Sequence, residues 1–189
     1  MILYLHGLNS SPVSHKARLL AARMADLGLA DQLRIPALHH DPAQAMADVE
    51  RLLADAAQPV TLLGSSLGGF YATWLAEKHG LKAVLVNPAV EAPQLARNLL
   101  GPQKNYYSGA EWLLTETHAA ALDSLEVGAI TRPERYLLLL ESGDEVLDWR
   151  RAVEKFRDAR QIVVEGGDHG FASFATQVDT ILRFAGLTD

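Results

Sequence analysis

Short apolar runs alternate with helix-like segments along most of this chain, and that alternation limits the folds open to it. The runs have the length of buried strands and lie at Ile2–Leu5, Val60–Leu63, Val84–Val86, Tyr136–Leu140 and Ile162–Val164, with a weaker one at Leu33–Ile35. Strands that are apolar on both faces and separated by helices pair in parallel. The pattern therefore predicts an α/β protein with a mostly parallel central sheet of about six strands, flanked by helices on both faces.

Capping residues, prolines and glycines mark the ends of the predicted helices. Ser11 followed by Pro12 is typical of a helix start, and Gly28 is expected to end that first helix. Further helices are predicted over residues 42–58, 67–79, 147–159 and 171–184. In a parallel sheet, the loops that follow the carboxyl ends of the strands form the functional site. We therefore expect the chemistry of this chain in those loops.

One long stretch, from Ala89 to about Arg132, interrupts the alternation. It contains helix-like pieces but no convincing strand, and prolines and glycines break it repeatedly. An insertion of this length is typical of a lid or a functional loop. We therefore expect one domain over residues 1–189 with a helical, lid-like insertion at about 89–132. Four of its side chains are predicted either to line an apolar pocket or to pack the insertion onto the body: Tyr106, Tyr107, Trp112 and His118.

Composition excludes several classes of protein. The chain has 17 Lys and Arg against 23 Asp and Glu, a formal net charge of −6, and this acidic balance disfavours nucleic-acid binding. It has no Cys, so a thiolate metal site and a Cys nucleophile are excluded. No apolar run approaches the roughly 20 residues of a transmembrane helix, and no basic segment precedes the first run as in a signal peptide. We expect a cytoplasmic protein.

The segment Gly64-Ser65-Ser66-Leu67-Gly68 lies between a predicted strand and a predicted helix and matches the motif G-x-S-x-G. In that motif a nucleophilic serine sits on a tight strand-to-helix turn, and the residues two before and two after it must lack side chains. Ser66 fits this position, whereas centring the motif on Ser65 would require glycine at Leu63 and Leu67. A phosphate-binding loop is disfavoured, because Phe70 stands where a Walker A motif has lysine.

A serine hydroxyl becomes a nucleophile only when a base takes its proton, and the base in turn needs a carboxylate to orient it. His169 follows the last predicted strand, and Asp144 follows the strand before it. The chain order Ser66, Asp144, His169 is the order of the α/β-hydrolase fold. Asp148 is the alternative acid, although its position at the start of a predicted helix favours a capping role.

Hydrolysis of an acyl group also needs two donors for the oxyanion that forms on the carbonyl oxygen. The expected donors are the backbone N–H of Leu67, after the nucleophile, and that of Leu8, after the first strand. The alternative for His6-Gly7 is that these residues only form a tight turn.

Histidine also raises the question of a metal site. His39-His40-Asp41 contains possible ligands, but adjacent residues rarely converge on one ion and the chain has no H-E-x-x-H motif. We therefore expect no metal and no other cofactor. The roles of His39, His40 and His118 stay open at this point.

Together these motifs resemble the small bacterial YqiA-type esterases of the α/β-hydrolase superfamily. The residues that carry the resemblance are Tyr4-Leu5-His6-Gly7, Asn9-Ser10-Ser11-Pro12, Gly64 to Gly69, Asn87-Pro88-Ala89-Val90, Gly143 to Asp148 and Glu165 to His169. The resemblance implies a compact hydrolase whose sheet begins at the strand that is usually third. It also implies hydrolysis of short-chain esters, with Ser66 as nucleophile, Asp144 as orienting acid and His169 as base.

The sequence thus predicts a serine hydrolase that cleaves carboxylic esters of small molecules through an acyl-enzyme. An acyl-CoA thioesterase, or a peptidase or amidase, on the same triad is one alternative. A catalytically silent binding module on a hydrolase scaffold is another, since a fold alone does not guarantee activity. The sequence does not indicate an oligomeric state.

Overall fold

The computed structural model describes residues 1–189, and its centre is a six-stranded parallel sheet. The chain forms eight strands, of which β5 and β6 make a separate antiparallel hairpin. In chain order they are β1 (Ile2–Leu5), β2 (Leu33–Arg34), β3 (Thr61–Ser65), β4 (Lys82–Val86), β5 (Gly101–Lys104), β6 (Glu111–Leu114), β7 (Tyr136–Glu141) and β8 (Arg160–Val164). The central sheet has the order β2-β1-β3-β4-β7-β8, with every neighbouring pair parallel. The predicted sheet is confirmed.

Seven α-helices accompany the strands. They are α1 (His15–Asp26), α2 (Pro42–Ala54), α3 (Leu67–His79), α4 (Ala92–Asn98), α5 (Glu116–Asp123), α6 (Trp149–Lys155) and α7 (Phe174–Phe184). Helices α1 and α7 pack on one face of the sheet, and α2, α3 and α6 pack on the other. No helix combines the length and the apolar character needed to cross a membrane.

Alternating side chains of the central strands build two separate cores. In β1, Leu3 and Leu5 belong to the core under α2 and α3, whereas Ile2 and Tyr4 belong to the core under α1 and α7. All four side chains are buried, because successive residues of a strand point to opposite faces and both faces are covered. The sequence therefore shows a continuous apolar run instead of an alternating one.

Two helices begin three residues later than predicted. Helix α1 begins at His15, and not at Pro12, because Ser14 N–H bonds the carbonyl oxygen of Ser11 and closes a turn before the helix. Helix α7 begins at Phe174 instead of Phe171. Phe171 has a φ of 61°, in the left-handed region, so the helix cannot extend back through it.

The insertion between β4 and β7 is only partly helical, and the prediction that it contains no strand is wrong. Residues 92–123, here called the cap, consist of α4, the β5–β6 hairpin and α5. Arg97 ties the two cap helices together through Glu116 and Asp123, with nitrogen-to-oxygen distances of 2.8 and 2.5 Å. The hairpin has few apolar residues of its own and starts at Gly101-Pro102, which is typical of a break in structure.

Gly68 shows how tightly α3 approaches the sheet. A Cβ atom added to Gly68 would overlap the backbone oxygen of Leu5, and backbone atoms cannot move aside as a flexible side chain can. We predict that Gly68→Ala lowers the free energy of unfolding by about 3 kcal/mol or more, measured by urea denaturation.

Gly128→Ala is the matched control for this substitution. A Cβ atom there would meet no atom within 4 Å, so its effect is expected to stay within about 0.5 kcal/mol. Equal stability of the two variants would contradict the close approach of α3 to β1.

Candidate active site

Ser66 occupies a strained turn between β3 and α3. Its φ of 54° and ψ of −119° lie in a region that side-chain-bearing residues rarely adopt. Hydrogen bonds on both sides hold this conformation: Ser66 N–H donates to Val86 O at 3.0 Å, and Ala89 N–H donates to Ser66 O at 3.0 Å. The end of β4 and the residues after it therefore fix the serine at the carboxyl edge of the sheet.

The structure brings the three predicted catalytic side chains together. His169 Nε2 lies 3.1 Å from Ser66 Oγ, and His169 Nδ1 lies 2.8 Å from Asp144 Oδ2 and 3.0 Å from Oδ1. The Asp144 side chain is 1% exposed and that of His169 is 23% exposed. A base within hydrogen-bond reach of the serine and a buried carboxylate behind it is the geometry of an activated nucleophile.

Asp144 is held in its charged form by its surroundings. Burial alone would raise the pKa of Asp144, but hydrogen bonds from His169, Leu147 N–H and Val146 N–H outweigh burial and lower it. Asp148 lies elsewhere and accepts Arg150 N–H at 3.1 Å as the cap of α6. The structure therefore places Asp144, and not Asp148, against His169.

A buried carboxylate that the sequence analysis did not single out organises the loop of His169. Glu141 ends β7 and is 1% exposed. Its two oxygens accept hydrogen bonds from Asp168 N–H at 2.8 Å, Ala172 N–H at 2.9 Å, and Ser173 N–H and Oγ–H at 2.8 and 2.6 Å. Burial would raise the pKa of Glu141, but these donors lower it instead. The loop is thus held by hydrogen bonds to the negatively charged carboxylate of Glu141.

Asn87 links this loop to the turn that carries Ser66. It follows β4 with a φ of 40°, and its Nδ2 donates to the backbone oxygens of Asp168 and His169 at 3.1 and 3.3 Å. Its Oδ1 accepts Glu141 N–H at 3.0 Å. The sequence signals for these roles are a glutamate at the end of an otherwise apolar strand and an asparagine at the end of the neighbouring one.

The two predicted oxyanion donors lie at the same edge. Leu8 and Leu67 both line the cleft at Ser66, and their backbone N–H groups donate to no protein acceptor. Gly7 approaches the serine closely, since an added Cβ would lie 3.2 Å from Ser66 Cβ. His6-Gly7 does form a turn, because Ser10 N–H donates to Gly7 O at 3.3 Å. The turn at His6-Gly7 therefore leads directly into Leu8, the residue expected to supply an oxyanion donor.

The buried ring of His6 fixes that turn. His6 Nε2 accepts Leu38 N–H at 3.2 Å, so the proton lies on Nδ1, which is 3.0 Å from Gly7 O and donates to it. Burial lowers the pKa of His6, which favours this neutral form.

A cleft of about 990 Å³ opens beside Ser66 and His169. Three of the four insertion side chains singled out from the sequence line it, namely Tyr106, Tyr107 and Trp112. The cap contributes further apolar side chains: Ala92, Leu95, Ala96, Leu99, Leu114 and Leu122. Such an apolar cavity with a few polar groups at one place is typical of a small-molecule site.

His39, His40 and His118 form a cluster of rings beside Trp112 of the cap. His40 stacks on His39 with ring centroids 4.3 Å apart, and its ring lies 5.0 Å from Trp112 and 5.9 Å from His118. His118 Nδ1 accepts Thr115 N–H at 3.1 Å, within the capping box of α5. No group of three or more metal-ligating side chains is placed to hold an ion.

The sheet order and the serine on its tight turn define this protein as one with the α/β-hydrolase fold. The chain belongs to UPF0227, described as an uncharacterised protein family, whose model matches residues 1–186. The family resemblance seen in the motifs is confirmed. The chain is 27% identical to a UPF0227 protein of Shewanella sp. strain ANA-3 over 190 residues, which cover 97% of this chain and 98% of the relative.

Solved structures show the same fold at low identity. Est1E of Butyrivibrio proteoclasticus, solved with ferulic acid bound, superposes with a TM-score of 0.71 at 13% identity, covering 97% of this chain and 86% of Est1E. The monoacylglycerol lipase of Paleococcus ferrophilus superposes with a TM-score of 0.69 at 15% identity, covering 99% and 94%. The architecture is therefore that of known hydrolases.

The role of Glu141 can be tested by removing its charge. In Glu141→Gln an amide nitrogen faces backbone N–H donors, so we predict a loss of about 3 kcal/mol in the free energy of unfolding at neutral pH. Because the pKa of Glu141 is lowered in the folded protein, the wild type loses this contribution as pH falls below about 4.3. The difference in the free energy of unfolding between the wild type and Glu141→Gln should therefore become smaller in acid.

Urea denaturation between about pH 7 and about pH 3.5 measures this gap. Glu165→Gln is the matched control, because Glu165 is exposed in the same loop region and is expected to change stability little at any pH. A gap between wild type and Glu141→Gln that is absent, or constant with pH, would contradict the role given to Glu141.

Proposed function

We propose that this protein is a cytoplasmic serine hydrolase that cleaves carboxylic esters of short-chain acids, with residues 89–132 covering the site of one catalytic domain. The observation that carries the proposal is the continuous contact from Asp144 through His169 to Ser66, at 2.8 and 3.1 Å, on a strained turn beside an apolar cleft. Two proteins of the same fold support it, one described as a monoacylglycerol lipase and one solved with ferulic acid.

In the proposed reaction, His169 Nε2 takes the proton of Ser66 as the Oγ attacks the acyl carbonyl carbon. The carbonyl electron pair moves to oxygen, where the N–H groups of Leu8 and Leu67 bind the negative charge. His169 then gives its proton to the alcohol oxygen as the C–O bond breaks, leaving an acyl-serine. A water molecule repeats these steps and releases the acid.

Asp144 keeps the imidazole in the productive orientation throughout. It accepts His169 Nδ1–H, which leaves Nε2 free to take the serine proton, and it stabilises the imidazolium that follows. Each oxyanion donor contributes about 3 kcal/mol of transition-state stabilisation, and general base catalysis contributes about 10²- to 10⁴-fold in rate. The mechanism requires no cofactor.

The cleft gives the two parts of an ester different surroundings. The cap side is lined by apolar side chains, whereas the side towards α1 carries Ser14, His15 and Lys16. We place the acyl chain under the cap and the alcohol on the side of α1, because burial of methylene groups is favourable only in the apolar part. A short acyl chain would extend from Ser66 along α4.

Removal of the nucleophile tests the proposed reaction. Ser66→Ala lacks the attacking oxygen, so we predict that kcat for p-nitrophenyl butanoate falls about 10³-fold or more while the thermal midpoint of unfolding changes little. Ser65→Ala is the matched control, since Ser65 is buried at the end of β3 and is expected to retain most of the activity. Wild-type activity in Ser66→Ala would refute the mechanism.

Acyl-chain preference tests the placement under the cap. Ala96 is buried on α4 and lines the cleft, so Ala96→Leu takes space from the acyl chain. We predict that kcat/KM for hexanoyl esters, relative to acetyl esters, falls about fourfold for each methylene group that can no longer be buried.

Gln94→Leu adds an apolar side chain on the exposed face of the same helix, and it should leave the chain-length profile unchanged. An unchanged profile in Ala96→Leu as well would show that the acyl chain binds elsewhere.

A further inference from the structure

The β5–β6 hairpin of the cap is bonded directly to the loop that follows β1. Asn9 Oδ1 accepts Trp112 Nε1–H at 2.8 Å, and Asn9 Nδ2 donates to Gln103 Oε1 at 2.9 Å. The backbone oxygen of Asn9 accepts Tyr106 N–H at 2.9 Å, and that of Ser10 accepts Asn105 Nδ2–H at 2.8 Å. Both strands of the hairpin and its turn thus contribute to the attachment.

The hairpin side of this attachment is itself held by hydrogen bonds. Asn105 Oδ1 accepts the N–H groups of Tyr107 and Ser108, both at 2.9 Å, and so forms the turn between β5 and β6. Asn105 N–H donates to Ala110 O at 2.9 Å. Asn105 therefore shapes the hairpin turn and also donates a side-chain hydrogen bond to the backbone oxygen of Ser10.

The attachment lies next to the peptide unit that supplies the Leu8 N–H. In a trans peptide the carbonyl oxygen of Gly7 and the N–H of Leu8 point in opposite directions. Ser10 N–H and His6 Nδ1 both bond that oxygen, at 3.3 and 3.0 Å, and so set the direction of the Leu8 N–H. Because the hairpin fixes Ser10, it also fixes one of the two bonds that orient this donor.

Asn9 is suited to this place by its backbone as well as its side chain. Its φ of 55° lies in the left-handed region, which asparagine tolerates better than most residues. Three of the four bonds to the hairpin end on Asn9. Neither Asn9 nor Trp112 contacts Ser66 or His169 through a hydrogen bond, so neither side chain takes part in the proton transfers, although both line the cleft.

We propose that the cap hairpin positions the oxyanion donor Leu8, and that Asn9 is the positioning residue that transmits its placement. The inference rests on the proposed function, since it assigns a cause to the geometry of that same site. It also means that cap and oxyanion hole form one unit: if the hairpin moves away from the body, the Leu8 N–H loses its orientation. Catalysis then requires the cap in the closed position.

Two variants break the attachment in different ways. Asn9→Gly removes both side-chain bonds while keeping a residue that adopts a φ of 55° without strain. Trp112→Phe removes the indole N–H and keeps an aromatic ring on His40. Lys104→Ala is the matched control, because Lys104 lies in β5 but pairs only with exposed Glu111, at 4.0 Å.

Kinetics with p-nitrophenyl butanoate separate positioning from substrate binding. We expect kcat to fall about 10- to 100-fold in Asn9→Gly and less in Trp112→Phe, with KM changed less than about threefold, because the donor acts in the transition state. A trifluoromethyl ketone, whose adduct with serine carries an oxyanion, should lose affinity in parallel with kcat. Lys104→Ala should match the wild type.

The outcomes distinguish the inference from the proposed function. Loss of kcat and of trifluoromethyl ketone affinity in both attachment variants, with a normal control, supports the inference. Wild-type kcat in Trp112→Phe and in any folded Asn9→Gly protein overturns it while leaving the esterase proposal intact. If the wild type itself neither hydrolyses esters nor binds the ketone, the proposed function fails first.

Discussion

The strained backbone at Ser66 is the constraint on which the rest of the site depends. A φ of 54° at a residue with a side chain costs about 1–3 kcal/mol. The turn persists because Val86 at the end of β4 bonds its N–H, and Ala89 just beyond the strand bonds its carbonyl oxygen. Such a turn leaves no room for side chains at Gly64 and Gly68. The parallel sheet therefore fixes the backbone conformation of Ser66 as well as its position, and this conformation exposes the hydroxyl.

A second constraint is electrostatic and lies at the end of β7, two strands from β3 in the sheet. The buried carboxylate of Glu141 collects donors from the loop after β8, and this fixes the loop that presents His169. Asn87 bridges that loop to the segment that holds Ser66. The distance of 3.1 Å between Ser66 Oγ and His169 Nε2 thus follows from contacts of residues outside the three proposed catalytic ones. Precise geometry of this kind is what general base catalysis requires.

The sequence predicted the parallel sheet and the meeting of Ser66, Asp144 and His169, because apolar runs reveal buried strands and parallel strands end at one edge. It did not predict the β5–β6 hairpin, whose strands have little apolar character and are anchored by Asn9 from a distant loop. The sequence also predicted the start of α7 too early, because the N–H groups of Ala172 and Ser173 donate to the carboxylate of Glu141. These features depend on tertiary contacts, which local pattern does not contain.

The most direct test of an activated serine is covalent labelling of the folded protein with a fluorophosphonate, followed by peptide mapping with mass spectrometry. We predict a single adduct on Ser66, because that hydroxyl combines a base within hydrogen-bond reach with two free N–H donors beside it. An adduct on another serine, or no adduct with probes of several sizes, would contradict the claim that Ser66, His169 and Asp144 form a working catalytic site.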